Sequence, residues 1–161
     1  GSTIPALGFG TYKAEGDKLA KALETAIAVG YRHIDTAQIY QNEEIVGEAI
    51  ASSGIARESF FLTTKLWGTS HGDGRTQPAI ETSLKSLGTP YIDLLLLHSP
   101  SNHGRSAEEV VALRQQSWLA MEEAYHAGIC KAIGVSNFEA RHIESVLEVG
   151  SVTPAVNQIE S

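Results

Sequence analysis

Ile92-Asp93-Leu94-Leu95-Leu96-Leu97-His98 is nearly all apolar and ends on a histidine. A run without polar alternation describes a strand buried on both faces, as in a parallel sheet flanked by helices. Two architectures supply such sheets, the doubly wound open sheet and the closed (β/α)8 barrel. Further strand-like segments at residues 7–10, 33–36, 60–65, 132–136 and 155–159 alternate with helix-like ones, which argues for an α/β chain. The polar residues then separate the two architectures. Asp35, Lys65, His98, Ser136-Asn137 and Gln158 stand at the carboxyl ends of five successive strands. A barrel gathers these ends on one rim, whereas an open sheet spreads them over its width. No Gly-x-Gly-x-x-Gly fingerprint follows a strand, since Gly8-Phe9-Gly10 runs on into Thr11-Tyr12-Lys13 and not into a helix. The sequence therefore predicts an α/β fold, a parallel (β/α)8 TIM barrel, of which residues 1–161 supply about six β/α units in one incomplete domain. A barrel of this kind takes about 250 residues, so strands seven and eight are expected to be absent from this chain.

Five helices are expected between the strands. After Asp17, Leu19, Ala22, Leu23, Ala26 and Ile27 recur at amphipathic spacing, and Gly30 stops the run. Asn42 opens a second pattern over residues 42–53, and residues 76–87 form a third with Pro78 in its first turn. Ser106 with Glu109 reads as a capping box for a long helix closed by Gly128, and residues 139–148 form the fifth. In a strand-then-helix unit, groups at the carboxyl end of the strand face a cleft. Tyr31–Tyr40, YRHIDTAQIY, accordingly puts Asp35 and Tyr40 at its lip. Taken alone, the same stretch reads first as an Asp capping a turn and a Tyr packed at a loop.

With 42% hydrophobic and 19% charged residues, the 161-residue chain has the composition of a globular domain with a real core. The net charge of −7 and the lack of a Lys/Arg stripe argue against nucleic acid as a partner. Cys130 is the one cysteine, and no long apolar run or signal peptide is visible, so a cytoplasmic protein with no membrane partner is expected.

These residues carry a resemblance. Ile4-Pro5-Ala6-Leu7-Gly8-Phe9-Gly10-Thr11, Gly30-Tyr31-Arg32-His33-Ile34-Asp35-Thr36-Ala37 and Tyr40-Gln41-Asn42-Glu43 resemble the aldo-keto reductases. So do Thr64-Lys65-Leu66-Trp67, Leu97-His98-Ser99-Pro100, Ile133-Gly134-Val135-Ser136-Asn137-Phe138 and Val156-Asn157-Gln158-Ile159-Glu160. The resemblance implies a (β/α)8 barrel that reduces aldehydes and ketones, small-molecule carbonyl substrates, by direct hydride transfer. The implied cofactor is NADPH, with NADH as the alternative. The catalytic tetrad would fall on Asp35, Tyr40, Lys65 and His98, the nicotinamide contacts on Ser136, Asn137 and Gln158, with Thr11 and Tyr12 near cofactor and substrate. Tyr12, Trp67 and Ser99 would shape the substrate pocket. Tyr12 and Ser99 stand where many mammalian-type members have Trp, so that pocket should differ from theirs. The region that binds the adenosine 2′-phosphate and pyrophosphate would belong to the absent strands.

The chemistry suits these residue types. Hydride arrival at a carbonyl carbon builds negative charge on oxygen, and a proton must reach it. Tyr40 is the candidate acid, with a Lys65 ammonium expected to lower its pKa and Asp35 to keep the lysine charged and in place. His98 could orient the carbonyl oxygen, while Ser136, Asn137 and Gln158 could fix a carboxamide edge. His33 reads as structural and Trp118 as core. A rival reading is a metal-dependent hydrolase using His33, Asp35 and His98 with Lys65, although His71, His103, His126 and His142 fall in predicted loops or helices and the preferred reading places no metal. A non-catalytic regulatory subunit on the same fold is the third.

Overall fold

The structure is a computed structural model and describes residues 3–101 and 104–160; His103 lies outside the described residues. Strand and helix alternate through β1 (Gly8–Gly10), α1 (Gly16–Ala28), β2 (His33–Asp35), α2 (Glu43–Ser52), β3 (Phe61–Leu66) and α3 (Thr76–Ser86). They continue through β4 (Leu94–Leu97), α4 (Ala107–His126), β5 (Ile133–Ser136), α5 (Ala140–Leu147) and β6 (Asn157–Gln158). The six strands form one sheet in chain order, every neighbouring pair parallel. This is a part-circle of a (β/α)8 barrel, and among the described residues β1 and β6 each keep an unpaired edge.

The period-2 alternation of side chains divides each strand between two environments. Ile34, Leu62, Leu66, Leu95, Leu97, Ile133 and Val135 point outward into two apolar clusters under the helices. The α1 and α2 side of this layer is filled by Leu19, Leu23, Val46 and Ile50, and the α3 to α5 side by Ile80, Trp118, Met121 and Val146. Trp118 is fully buried and donates from Nε1 to Glu122 Oε1 at 3.1 Å, a core role. The intervening residues face the barrel interior. The registers Asp35↔Thr63, Lys65↔Leu96 and Ser136↔Gln158 bring the polar strand ends to a common level.

Boundaries shift where side chains compete for the backbone. The strand expected from Ile92 starts its ladder at Leu94, with Ile92 contributing an isolated bridge to Cys130. Asp93 turns its carboxylate to Leu62 N at 3.0 Å and Arg57 Nη2 at 2.7 Å, which fastens the entry of β4 to β3. The Ser106–Glu109 capping box forms as read. Asn42 precedes α2 but makes no capping bond, because its side chain reaches backwards into the β1–α1 loop.

Candidate active site

At the end of β2, Asp35 accepts from Lys65 Nζ through Oδ1 and from Gln158 Nε2 through Oδ2, the latter at 2.8 Å. Lys65 ends the inward-facing row of β3, is 1% exposed, and also donates to Thr36 O at 3.0 Å. Burial lowers its pKa below the usual lysine value and the Asp35 carboxylate pulls it back up. Tyr40 closes the 3-10 turn Gln38–Tyr40, its ring centroid 5.3 Å from Lys65 Nζ and 5.6 Å from that of His98 in an edge-to-face arrangement. Immediately after β4, His98 donates its backbone N–H to Leu66 O at 3.0 Å and meets the Trp67 ring edge-on.

The electrostatics correct one expectation. The Tyr40 phenol is not made more acidic by Lys65; it is pushed up to about 12, first by burial and then by the negative charge of Asp35. The reason is that the lysine is bonded to Asp35 and to a carbonyl, so its charge is balanced locally and the phenol feels the carboxylate. Burial, with Lys65 adding to it, pushes His98 down to about 4 against the opposing pull of Asp35, so its ring is neutral at pH 7 and carries one N–H donor. His98 Nδ1 is buried without a hydrogen-bond partner among the described residues.

A cavity of about 520 Å3 opens over these groups, with Tyr12, Tyr40, Trp67, His98, Ser99 and Asn137 in its wall. The three residues named for the pocket are therefore together, and Tyr12 stacks at a tilt on Tyr40 with centroids 5.0 Å apart. Thr11 and Tyr12 part company: Thr11 is fully buried, its hydroxyl directed to Asp35 O at 3.2 Å and Asn42 Oδ1 at 3.4 Å, whereas Tyr12 is 64% exposed at the cavity. Ser136 donates from Oγ to Gln158 O at 2.9 Å, and Asn137, in the left-handed region at φ 61°, donates from Nδ2 to His98 O. Left-handed backbone at a non-glycine costs about 1–2 kcal/mol and persists where surroundings hold it. Lys13 and Gln41, beside Tyr12 and Tyr40, share that conformation.

The metal-hydrolase reading finds no ligand group here. His33 Nε2 pairs with Thr63 Oγ1 at 3.0 Å, both Asp35 oxygens are engaged, and among the described residues no three His, Cys, Asp or Glu are grouped to hold an ion. Among those residues, too, no helix is long and apolar enough to cross a membrane.

The family model of the aldo/keto reductases, described as "Aldo/keto reductase family", matches residues 6–161. The chain belongs to that family. Relatives include aldo-keto reductase family 1 member C18 of Rattus norvegicus, 41% identical over 99% of this chain and 56% of that protein. Glyoxal reductase of Bacillus subtilis is also 41% identical, over 99% of this chain and 55% of its own length. The aldo-keto reductase chain thus spans about half the length of the curated relatives it matches. Among solved structures, an aldo/keto reductase from Brucella melitensis superposes with a TM-score of 0.89 at 46% identity, covering 98% of this chain and 59% of that one. A Bombyx mori aldo-keto reductase solved in complex with NADP gives 0.86 at 38% identity, covering all of this chain and 56% of the other.

Sequence reading overlooked Asn42 and Gln38, which tie together the loops around this aldo-keto reductase site. Gln38 donates to Ala79 O at 2.9 Å and to Ser83 Oγ at 3.1 Å, and accepts from Ser70 Oγ, tying the Tyr40 turn to α3 and to the loop after Trp67. Asn42 was legible only as a helix opener. The signal available was two amide side chains flanking Tyr40 at two residues on either side.

Proposed function

We propose that the protein carrying this chain reduces small aldehydes and ketones to alcohols with a nicotinamide cofactor, NADPH in preference to NADH, and that Tyr40 delivers the proton. The observation that carries the reading is that Tyr40 and His98 line one aromatic-walled cavity while the buried Lys65–Asp35 pair lies directly behind the Tyr40 ring.

The donor set fits a nicotinamide edge. Asn137 Nδ2 and Gln158 Nε2 are engaged within the protein, which leaves Asn137 Oδ1 and Gln158 Oε1 as acceptors for a carboxamide N–H2, with the Ser136 hydroxyl beside them. When bound, the reduced nicotinamide supplies the hydride. The chain's own residues do the rest. Tyr40, protonated throughout the neutral range because its pKa is pushed up to about 12, holds the proton that a developing alkoxide, a far stronger base than a phenolate, will take. The neutral His98 offers a ring N–H to the same oxygen from the facing side of the cavity. Lys65 and Asp35 form a charge-balanced buried pair, with Nζ 5.3 Å from the Tyr40 ring centroid, that helps fix where the phenol stands.

The test is to purify the full-length product encoding this sequence and follow nicotinamide absorbance with a reactive aldehyde. Aldehyde-dependent oxidation of NADPH, faster than of NADH, is the expected result; none with either nucleotide would refute the reading.

A further inference from the structure

The three aromatic walls of the cavity stand on three different loops, and two side chains outside the cavity join those loops. Asn42 is 2% exposed, and both ends of its amide are used. Oδ1 accepts from Thr36 Oγ1 at 2.7 Å, on the strand end before Tyr40, and from Thr11 Oγ1. Nδ2 donates to Thr11 O at 3.0 Å and Ala14 O at 3.1 Å, the two residues that bracket Tyr12-Lys13. Gln38 makes the matching tie to the Trp67 loop through Ser70, whose N–H in turn donates to Trp67 O at 2.8 Å.

Tyr12 needs such a clamp. Its ring is mostly exposed and its neighbour Lys13 is held at φ 59°. The tilted contact with Tyr40 and the exposed Lys13 ammonium 5.1 Å from the ring centroid are too weak to fix an exposed loop in a left-handed turn, so the backbone on either side must be held from elsewhere. Thr11 N is bonded to Asp35 O on the β2 side, but beyond Tyr12 the long-range hydrogen bond to the loop comes from Asn42 to Ala14.

Resting on the carbonyl-reductase reading above, we infer that Asn42 is a positioning residue that sets Tyr12 against Tyr40 and thereby makes the cavity select planar, aromatic carbonyl compounds over small aliphatic ones. With the amide in place, Tyr12, Tyr40 and Trp67 form one preorganised set of walls that a flat ring fills without further ordering. Without it, Tyr12 moves away while Tyr40, Lys65, Asp35 and His98 stay where their own contacts hold them. A small aldehyde, which touches mainly the floor, is little affected.

The experiment compares an aromatic aldehyde such as benzaldehyde with propanal in the full-length protein. For Asn42→Ala, the ratio of the two kcat/KM values should fall about tenfold, through KM for benzaldehyde, while kcat for propanal stays within about threefold. A merely structural role would lower the active fraction and depress both substrates alike. Thr36→Val, which removes the donor that orients the Asn42 amide, should move the ratio in the same direction and serves if Asn42→Ala does not fold. Amide hydrogen exchange over residues 11–15 is read in the same variants and should accelerate at least about tenfold, with no change in the β3 and β4 amides. An unchanged ratio in an active, folded variant, or unchanged exchange, overturns the inference. A parent that reduces no aldehyde refutes the reductase reading instead, and the exchange measurement then decides the clamp by itself.

Discussion

Gln158 Nε2 donates to Asp35 Oδ2 at 2.8 Å, so the end of β6 touches the end of β2 across the barrel interior, 123 residues apart in the chain. The sheet between them runs through β3, β4 and β5 without closing. Its curvature brings the two ends together over the same floor that holds Lys65. One carboxylate then serves both sides: Oδ1 accepts from the lysine and Oδ2 from the Gln158 amide.

Gln158→Leu should therefore separate nucleotide binding from chemistry. Losing the amide is expected to weaken nucleotide binding about tenfold, the worth of one or two hydrogen bonds, with a smaller change in kcat at saturation. Fluorescence titration with NADPH alongside steady-state rates measures both.

Tyr40→Phe removes the phenol proposed to deliver the proton and keeps the ring that packs on Tyr12 and His98. Carbonyl reduction should drop by at least about two orders of magnitude while nucleotide still binds within about threefold. In the parent, the acid form must be present for turnover, so with the phenol raised to about 12 the reduction rate should show no Tyr40 titration through neutrality and fall only at strongly alkaline pH. A pH profile with a phenolic limb near 8 would contradict the electrostatics described above.

Lys65 is expected to act as a charge and hydrogen-bond donor, and not as an imine-forming nucleophile. Its Nζ is bonded to Asp35 and to Thr36 O, and the residue is 1% exposed. Borohydride trapping with a carbonyl compound and no cofactor should leave it unmodified, as peptide mass mapping will show. A reduced adduct on Lys65 would point to aldolase-type chemistry.

His71, in the loop after β3, is 1% exposed with Nε2 unpartnered among the described residues, and burial is the main cause that pushes it down to about 4. The unfolded chain takes up a proton near pH 6.5 that the folded chain refuses until about 4. Stability is therefore complete above about pH 6.5 and is lost as pH falls towards 4, by up to roughly 3 kcal/mol from this residue. His98 adds to the loss in the same window. Urea unfolding at pH 7 and pH 5 should show the drop, and His71→Gln should make it smaller.

Asp93→Ala should destabilise more than any exposed acid. The carboxylate takes the Leu62 N–H and Arg57 Nη2, with Lys131 Nζ at 3.7 Å, and removing it leaves the part-buried Arg57 with neutral partners only and the buried Leu62 amide without its carboxylate. A loss of about 3 kcal/mol is expected in denaturant unfolding, against less than about 0.5 kcal/mol for Glu81→Ala on the exposed face of α3.

What the sequence determined by itself was local and periodic. The unbroken apolar run of β4, the amphipathic spacing of α1 and the Ser106–Glu109 box each depend on neighbours within a few residues, and each element forms, with the start of β4 moved from Ile92 to Leu94. The rule that strand ends share one rim in a barrel then sufficed to put Asp35, Lys65, His98 and Gln158 together. Tertiary structure decided what depends on burial and on partners far along the chain. It sent Thr11 inward and Tyr12 outward from adjacent positions, and it turned Asn42 from a helix cap into a clamp on the β1–α1 loop. It also reversed the sign of the Tyr40 shift. Lys65 and Asp35 are both near the phenol, and sequence names both charges, but only the fold shows that the lysine is matched by its carboxylate and that desolvation of the phenol outweighs what remains.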